Sequence, residues 1–174
     1  MTSRGAGVLV NSDFGPLAML YEEHAGSAYR LAYVLTGDAG LAEDLVQDAF
    51  VKLIGRFAHL RRPESFDAYL RRTIVNLSYG LLRRRRLERA YLSRERALAT
   101  RSSNGLPDVE ERDELWDRLH RIAPRQRAAL VLRYYEDLSE EQAAEVLGCS
   151  DRSVKSLVAR GLQAMRTQQG SGRR

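Results

Sequence analysis

The chain has one cysteine, Cys149, in 174 residues, so no intramolecular disulfide can form. Cys149 falls between two short helical stretches, where a small apolar filler is sufficient explanation. The three histidines, His24, His59 and His120, are scattered and form no ligand pair, so no metal centre is expected. There is no Gly-rich phosphate loop and no Ser/His/Asp or Cys/His set, and the carboxylates sit at surface spacing on helical stretches. Neither enzymatic chemistry nor a cofactor is expected. No apolar run approaches the length of a membrane span, and residues 1–13 lack the charged start and apolar run of a secretory leader. A cytoplasmic protein is expected. Strand-like alternation is missing throughout, as is any internal repeat.

Lysine is scarce. Lys52 and Lys155 are the only lysines among 28 basic residues. Net charge is +5 with a pI near 9.6, which leans toward an anionic partner. Arginine suits bidentate contacts to guanine and phosphate. A GC-rich genome would produce the same bias.

The most informative stretch is 138–166, LSEEQAAEVLGCSDRSVKSLVARGLQAMR. Ser139-x-x-Gln142 forms a capping box that opens a short helix with Ala143, Ala144 and Leu147 on its apolar side. Gly148 ends it and Ser150 caps the next. In that second helix Val154, Leu157, Val158, Gly161, Leu162 and Met165 share one face. Arg152, Lys155, Ser156, Arg160 and Gln163 occupy the other. Two short helices around a tight Gly turn, the second basic and the first acidic, predict a helix-turn-helix that binds DNA. A helical hairpin with a solvated basic face stays open as the plainer reading.

In chain order, residues 1–13 read as a loose tail. A helix follows, with Leu17, Leu20, Tyr21, His24, Ala28, Leu31 and Leu35 inward, broken at 36–40. A second runs from about Leu41 to Phe57 and buries Leu45, Ala49, Phe50, Leu53 and Phe57. Its other face, Asp44, Gln47, Asp48 and Val51, is acidic, amidic and partly apolar. That face is either solvated, with support from an Asp48–Lys52 pair, or a protein contact. A basic loop, AHLRRPE, leads into a helix from Ser65 to about Arg86, with Phe66, Leu70, Ile74, Leu77 and Leu81 inward. A second stripe on it, Tyr69, Arg72, Asn76, Tyr79 and Arg83, runs into the cluster Arg83–Arg86. Aromatics stack on unpaired bases, Asn reads base edges and Arg holds phosphate, although a solvated basic helix has the same pattern. Residues 87–99 are highly charged and can extend as helix, and 100–110 have linker composition. Leu115, Trp116, Leu119 and Ile122 then mark an amphipathic helix. Pro124 opens another carrying Ala128, Leu130, Val131, Leu132 and Tyr135. The fold predicted is all-α: two small helical domains, 14–86 and 112–167, a flexible linker over 87–111, and tails at 1–13 and 168–174.

These segments resemble a known family. GDAGLAEDLVQDAFVKLIGRF with SFDAYLRRTIVNLSYGLLRRRR is similar to sigma region 2, and APRQRAALVLRYYEDLSEEQAAEVLGCSDRSVKSLVARGLQAMR to sigma region 4. In this order they look like a group IV (extracytoplasmic-function) sigma factor, closest to compact actinobacterial forms. The resemblance implies a protein that binds core RNA polymerase and directs initiation at promoters with −10 and −35 elements. It implies that Asp44, Gln47, Asp48 and Val51 meet the β′ clamp helices. Arg61, Arg62 and Ser65 would capture a flipped base, and Tyr69, Arg72, Asn76, Arg83 and Arg84 would recognise and melt the −10 element. Arg152, Ser153, Lys155, Ser156 and Arg160 would read the −35 element. Leu130, Arg133 and Tyr134 would lie near the β-flap contact. Promoter DNA and core polymerase are the implied partners, and an anti-sigma factor is a further one the family admits.

The chain departs from the family pattern in places. Tyr69 stands where Trp is usual, so melting strength is in doubt. Ala123-Pro124 replaces Leu-Pro. Arg152-Ser153 replaces a common Gly-Thr, so the −35 sequence read is in doubt too. A dimeric helix-turn-helix regulator acting without polymerase is the rival reading, and an adaptor with solvated basic faces is another.

Overall fold

The structure, a computed structural model, describes residues 14–57, 64–96 and 111–169. Among these residues there are seven α-helices, one π-helical turn and no strand. The first unit is α1 (Phe14–Thr36), α2 (Ala39–Phe57) and α3 (Glu64–Arg96). The second is α4 (Glu111–Arg121), α5 (Pro124–Leu130) with its π turn (Val131–Tyr135), α6 (Glu140–Leu147) and α7 (Asp151–Gln169). Of the linker expected over 87–111 and the tails over 1–13 and 168–174, residues 97–110, 1–13 and 170–174 lie outside the described residues, whereas 87–96 continue α3, Glu111 opens α4 and residues 168–169 belong to α7.

The first unit buries most of the expected stripes; the side chains of Leu17 and Phe57 lie outside the described residues. Leu31 and Leu35 of α1, Leu45, Ala49, Phe50 and Leu53 of α2, and Phe66, Leu70 and Ile74 of α3 form its centre. Tyr21, expected inside, is exposed, with its ring edge-on to Phe50 at 4.8 Å. The α1–α2 corner is tight. Gly37 closes α1 with φ 74°, and the Asp38 carboxylate accepts the Leu41 N–H at 3.0 Å to open α2. Helix α3 passes the boundary read at Arg86 and continues to Arg96. Leu, Arg, Glu and Ala predominate there, without Gly or Pro, so nothing local stops the helix.

In the second unit the capping box forms as the spacing requires. Gln142 N–H donates to Ser139 Oγ at 3.1 Å and Ser139 N–H to Gln142 Oε1 at 2.8 Å. Gly148 takes φ 60°, and Cys149 N–H reaches back to the Ala144 carbonyl at 3.0 Å. Ser150 Oγ accepts from Ser153 N–H at 3.3 Å and so caps α7. Helix α5 does not stay regular to Tyr135 as its apolar pattern suggests. Glu136 N–H donates to the Val131 carbonyl five residues back, and Asp137 ends the turn at φ 52°. Tyr135 is exposed, as is Leu115 on α4, although both belong to the apolar patterns of their helices.

The two units share one continuous core, whereas the sequence suggested two separate ones. Val75 and Ser78 of α3, outside the predicted inward stripe, are buried. Arg71, one turn before Val75, donates to Glu136 at 2.8 Å and pairs with Asp67 at 2.8 Å. Arg127 of α5 is almost fully buried. Its guanidinium donates to the Leu35 carbonyl at the end of α1 (2.7 Å) and to the His120 carbonyl (2.6 Å). Trp116 stacks on Tyr33 with centroids 5.2 Å apart. His120 lies against Gly37 so closely that a Cβ there would sit 2.8 Å from its ring. Gly37 is thus required both by its positive φ and by this contact.

Burial lowers the Arg127 pKa to about 10, which leaves it charged at neutral pH. Its carbonyl partners lie at the negative end of α1 and on α4. Arg127→Met should therefore destabilise the chain by about 2–4 kcal/mol, read as a lower urea midpoint. A loss under about 0.5 kcal/mol would mean the clasp is not structural.

Burial also holds the His120 pKa below its ordinary 6.5, and the neighbouring Arg127 charge adds to this. The Trp116 and Val34 carbonyls and Asp117 oppose both effects. His120 Nδ1–H donates to the Trp116 carbonyl at 2.8 Å, while Nε2 is buried without a hydrogen bond. A depressed pKa means that the unfolded chain binds the proton first. Stability should be full above the ordinary value and fall as pH drops below it. The urea midpoint should decline from about pH 7 to about pH 5 more steeply in wild type than in His120→Phe; equal slopes would exclude His120 as the cause.

Candidate nucleic-acid and protein interfaces

Four surfaces result from this arrangement. On α2, Asp44, Gln47 and Asp48 are exposed, and Val51 is 66% exposed beside them. Asp48 and Lys52 do not pair, so the ion-pair support expected of a solvated face does not form. The carboxylates are uncommitted around an exposed apolar residue, which suits a protein contact better than a solvated face.

On α3, Arg72, Asn76, Tyr79 and Arg83 are exposed, whereas Tyr69 is half-buried against the core. Arg84 is exposed and loosely paired with Glu88 at 3.7 Å. Arg61 and Arg62 lie outside the described residues; so does the side chain of Ser65, whose backbone belongs to α3. The stripe is therefore exposed from Arg72 to Arg84, with Tyr69 half-buried at its start. It runs beside the seam where α6 packs on α3, and the Arg72 guanidinium reaches within 3.8 Å of the Cβ position of Gly148.

On α7, Arg152, Lys155, Ser156 and Arg160 are exposed and Ser153 is half-buried. Lys155 is held to Glu140 of α6 at 3.1 Å, and Arg160 Nε donates to the Ser156 carbonyl at 3.2 Å. The Ser153 hydroxyl is engaged with Ser150 Oγ at 2.9 Å. A cavity of about 470 Å³ opens over this end of α7, lined by Arg125, Ser150, Arg152, Ser153, Ser156, Leu157 and Arg160. Sequence reading missed Arg125 because it belongs to α5, before the helix-turn-helix.

The fourth surface is an apolar groove of about 430 Å³. Leu115, Trp116, Leu119, Leu130, Tyr134 and Met165 line it, with Val34 contributed by α1. Of the three residues placed near the flap contact, Leu130 forms the floor and Tyr134 an exposed wall. Arg133 is turned to the Leu138 carbonyl instead. The spacing of Leu115 and Trp116 marks an amphipathic helix and looks the same in a core and in an open groove. Among the described residues, no cluster of His, Cys, Asp and Glu could hold a metal, and no helix is long and apolar enough to cross a membrane.

Comparisons with known proteins agree with both halves. The sigma-70 region 2 family profile matches residues 20–88, and that for sigma-70, region 4 matches residues 112–165. The chain is 34% identical to the RNA polymerase sigma-E factor of Streptomyces coelicolor over 137 residues, 79% of this chain and 76% of that protein. It is 33% identical to the ECF RNA polymerase sigma factor SigE of Mycolicibacterium smegmatis, across 84% of this chain and 59% of that one. In fold it is similar to the sigma factor RpoE of Bartonella quintana, solved in complex with the anti-sigma factor NepR. The TM-score is 0.65 at 20% identity, covering 87% of this chain and 95% of that one. Two region profiles in order and relatives above 30% identity along most of their length establish that this chain belongs to the sigma-70 family, within the extracytoplasmic-function group of RNA polymerase sigma factors.

Proposed function

We propose that the chain gives a bacterial RNA polymerase its promoter choice and performs no chemistry itself. The observation that carries this is the presence, on one chain, of two chemically opposite exposed faces. One is the acidic and apolar face of α2, and the other is the basic face of α7. A protein-docking face and a DNA-reading face together are what a polymerase-bound specificity subunit needs. A stand-alone dimeric regulator would leave the α2 face and the α3 stripe without a role.

In this reading Asp44, Gln47, Asp48 and Val51 dock on the β′ clamp helices. Tyr69, Arg72, Asn76, Arg83 and Arg84 take the −10 strand, with Arg61, Arg62 and Ser65 at the flipped base. Unstacking a base costs a few kcal/mol, offset by stacking and backbone contacts. Arg152, Ser153, Lys155, Ser156 and Arg160 take the −35 duplex. Neither unit need bind DNA tightly, because tethering on one polymerase makes the second contact intramolecular. The setting is the cytoplasm, where the polymerase works.

The closed arrangement has a mechanical consequence. The two promoter elements lie about 25 base pairs apart, or about 85 Å along B-form DNA. Here Arg72 of the −10 stripe and Gly148 of the −35 helix-turn-helix are neighbours. Both elements can be held only after the units separate. The Arg71–Glu136 pair, the Arg127 clasp and the Trp116–Tyr33 stack must then break, at the expense of new contacts with the polymerase.

Two outcomes test this. Asp48→Arg should abolish co-elution with core polymerase on size exclusion without altering the helical circular dichroism; unchanged co-elution would refute the α2 assignment. Dyes at Glu22→Cys and Gln163→Cys, in a Cys149→Ser background, should lose energy transfer when core polymerase is added. Unchanged transfer with proven binding would refute the opening.

A further inference from the structure

We propose that Glu140, on the first helix of the helix-turn-helix, determines −35 specificity by holding the Lys155 ammonium for a guanine edge and away from phosphate. This rests on the reading of α7 as the −35 element reader. The Lys155 ammonium lies 3.1 Å from a Glu140 carboxylate oxygen, and this ion pair joins α6 to α7. Lys155 has a nearer partner in sequence that it does not take. Asp151 stands four residues before it on α7, the spacing and order that favour an ion pair within a helix. Among the described residues Asp151 makes no ion pair, and neither do Glu141 and Glu145 of α6.

The fold fixes the carboxylate before DNA arrives. Glu140 opens α6 directly after the Ser139 N-cap, whose capping box with Gln142 sets the backbone there. Its negative charge is favoured by the positive end of that helix. The Glu140 side chain is 37% exposed against 64% for Lys155, so the carboxylate is the anchor and the ammonium the presented group. Surface ion pairs add little to stability, and what this one changes is where the ammonium can go. An ammonium has three N–H donors. Glu140 engages one, and the two that remain match the two acceptors, O6 and N7, that guanine shows in the major groove.

The pairing also selects between the two kinds of acceptor that DNA offers. A phosphate brought against Lys155 comes near the Glu140 carboxylate, and the two negative charges repel. A guanine edge carries no net charge and meets no such penalty. An unrestrained lysine is a poor reader, because a flexible point charge binds phosphate in any sequence. Holding it also removes rotamer freedom on folding instead of on binding. Arg152 and Arg160 of the same face are exposed and have no carboxylate partner among the described residues. They remain free for phosphate, while Lys155 is set aside for a base.

The test uses the full chain, whose α7 face is exposed in the closed arrangement. The protein is equilibrated at low salt with duplexes randomised over one major-groove turn, and the bound fraction is sequenced. Wild type should select guanine at one position where Lys155→Ala does not. Glu140→Gln should lower the guanine preference at that same position by roughly three- to tenfold and leave the others intact. On the selected duplex and a scrambled one, Glu140→Gln should bind both more tightly, with a log–log salt slope steeper by about 0.9, as the freed ammonium moves to phosphate. Glu140→Asp should keep part of the preference. Asp151→Asn removes a neighbouring charge without releasing Lys155 and should leave every base preference as in wild type. In a Lys155→Ala background Glu140→Gln should change no preference. Circular dichroism and the urea midpoint should stay near wild type in all variants. An unchanged guanine preference in Glu140→Gln, or a loss spread over every position, would overturn the assignment. So would a loss at a position that Lys155→Ala leaves intact. A wild type that selects no sequence would instead sink the reading of α7 on which the assignment rests.

Discussion

A guanidinium buried at the end of a helix holds this molecule together. Isolating an arginine from water costs several kcal/mol unless its donors are satisfied. Arg127 meets most of that requirement with the Leu35 carbonyl of α1 and the carbonyl of His120, at 2.7 and 2.6 Å, while its Nε is buried without a partner. The Leu35 carbonyl is one of the groups a helix C-terminus leaves without an intrahelical partner. One interaction thus resolves two costs at once, an orphaned carbonyl on the first unit and a buried charge on the second. Helix α5 is placed by this contact, and α5 in turn supports the π turn, α6 and α7.

That placement makes the molecule a closed form. With α5 clasped to α1, helix α6 is brought down on α3, where Val75 and Ser78 are covered and Arg71 finds Glu136. The seam is neither purely apolar nor purely ionic. Beside the shared apolar core it uses a stacked ring pair, an ion pair and a capped helix end, which give it specificity. In the proposed opening, water can replace the polar contacts, while the apolar part of the seam has to be offset by contacts with the polymerase.

Much of this was legible in the sequence, and the rest fails for identifiable reasons. The capping box at Ser139, the left-handed Gly148, the cap at Ser150 and the inward stripes of α1 to α3 are local, periodic signals, and the structure repeats them. The exposed residues of α2, α3 and α7 follow from the same periodicity. Arg127 could not be found this way, because its main partner lies 92 residues away and an arginine in PRQR reads as surface. Val75 and Ser78 were missed because one helix face cannot announce a second neighbour. The exposure of Tyr135 and Leu115 was not legible because apolar spacing does not distinguish a core from a groove, and a π turn alters the phase after Leu130.

The groove beside that turn joins these points. Val34 comes from the first unit and the remaining lining from the second, so the complete groove exists only while the clasp is shut. A ligand filling all of it would favour the closed form by its differential affinity, whereas one needing only the second unit's walls would be indifferent to the clasp. Two occupants of the same apolar surface can therefore act differently. Which of them shifts the equilibrium depends on whether its contacts include α1. The molecule carries this distinction in a single side chain, Val34, one residue before the carbonyl that Arg127 holds.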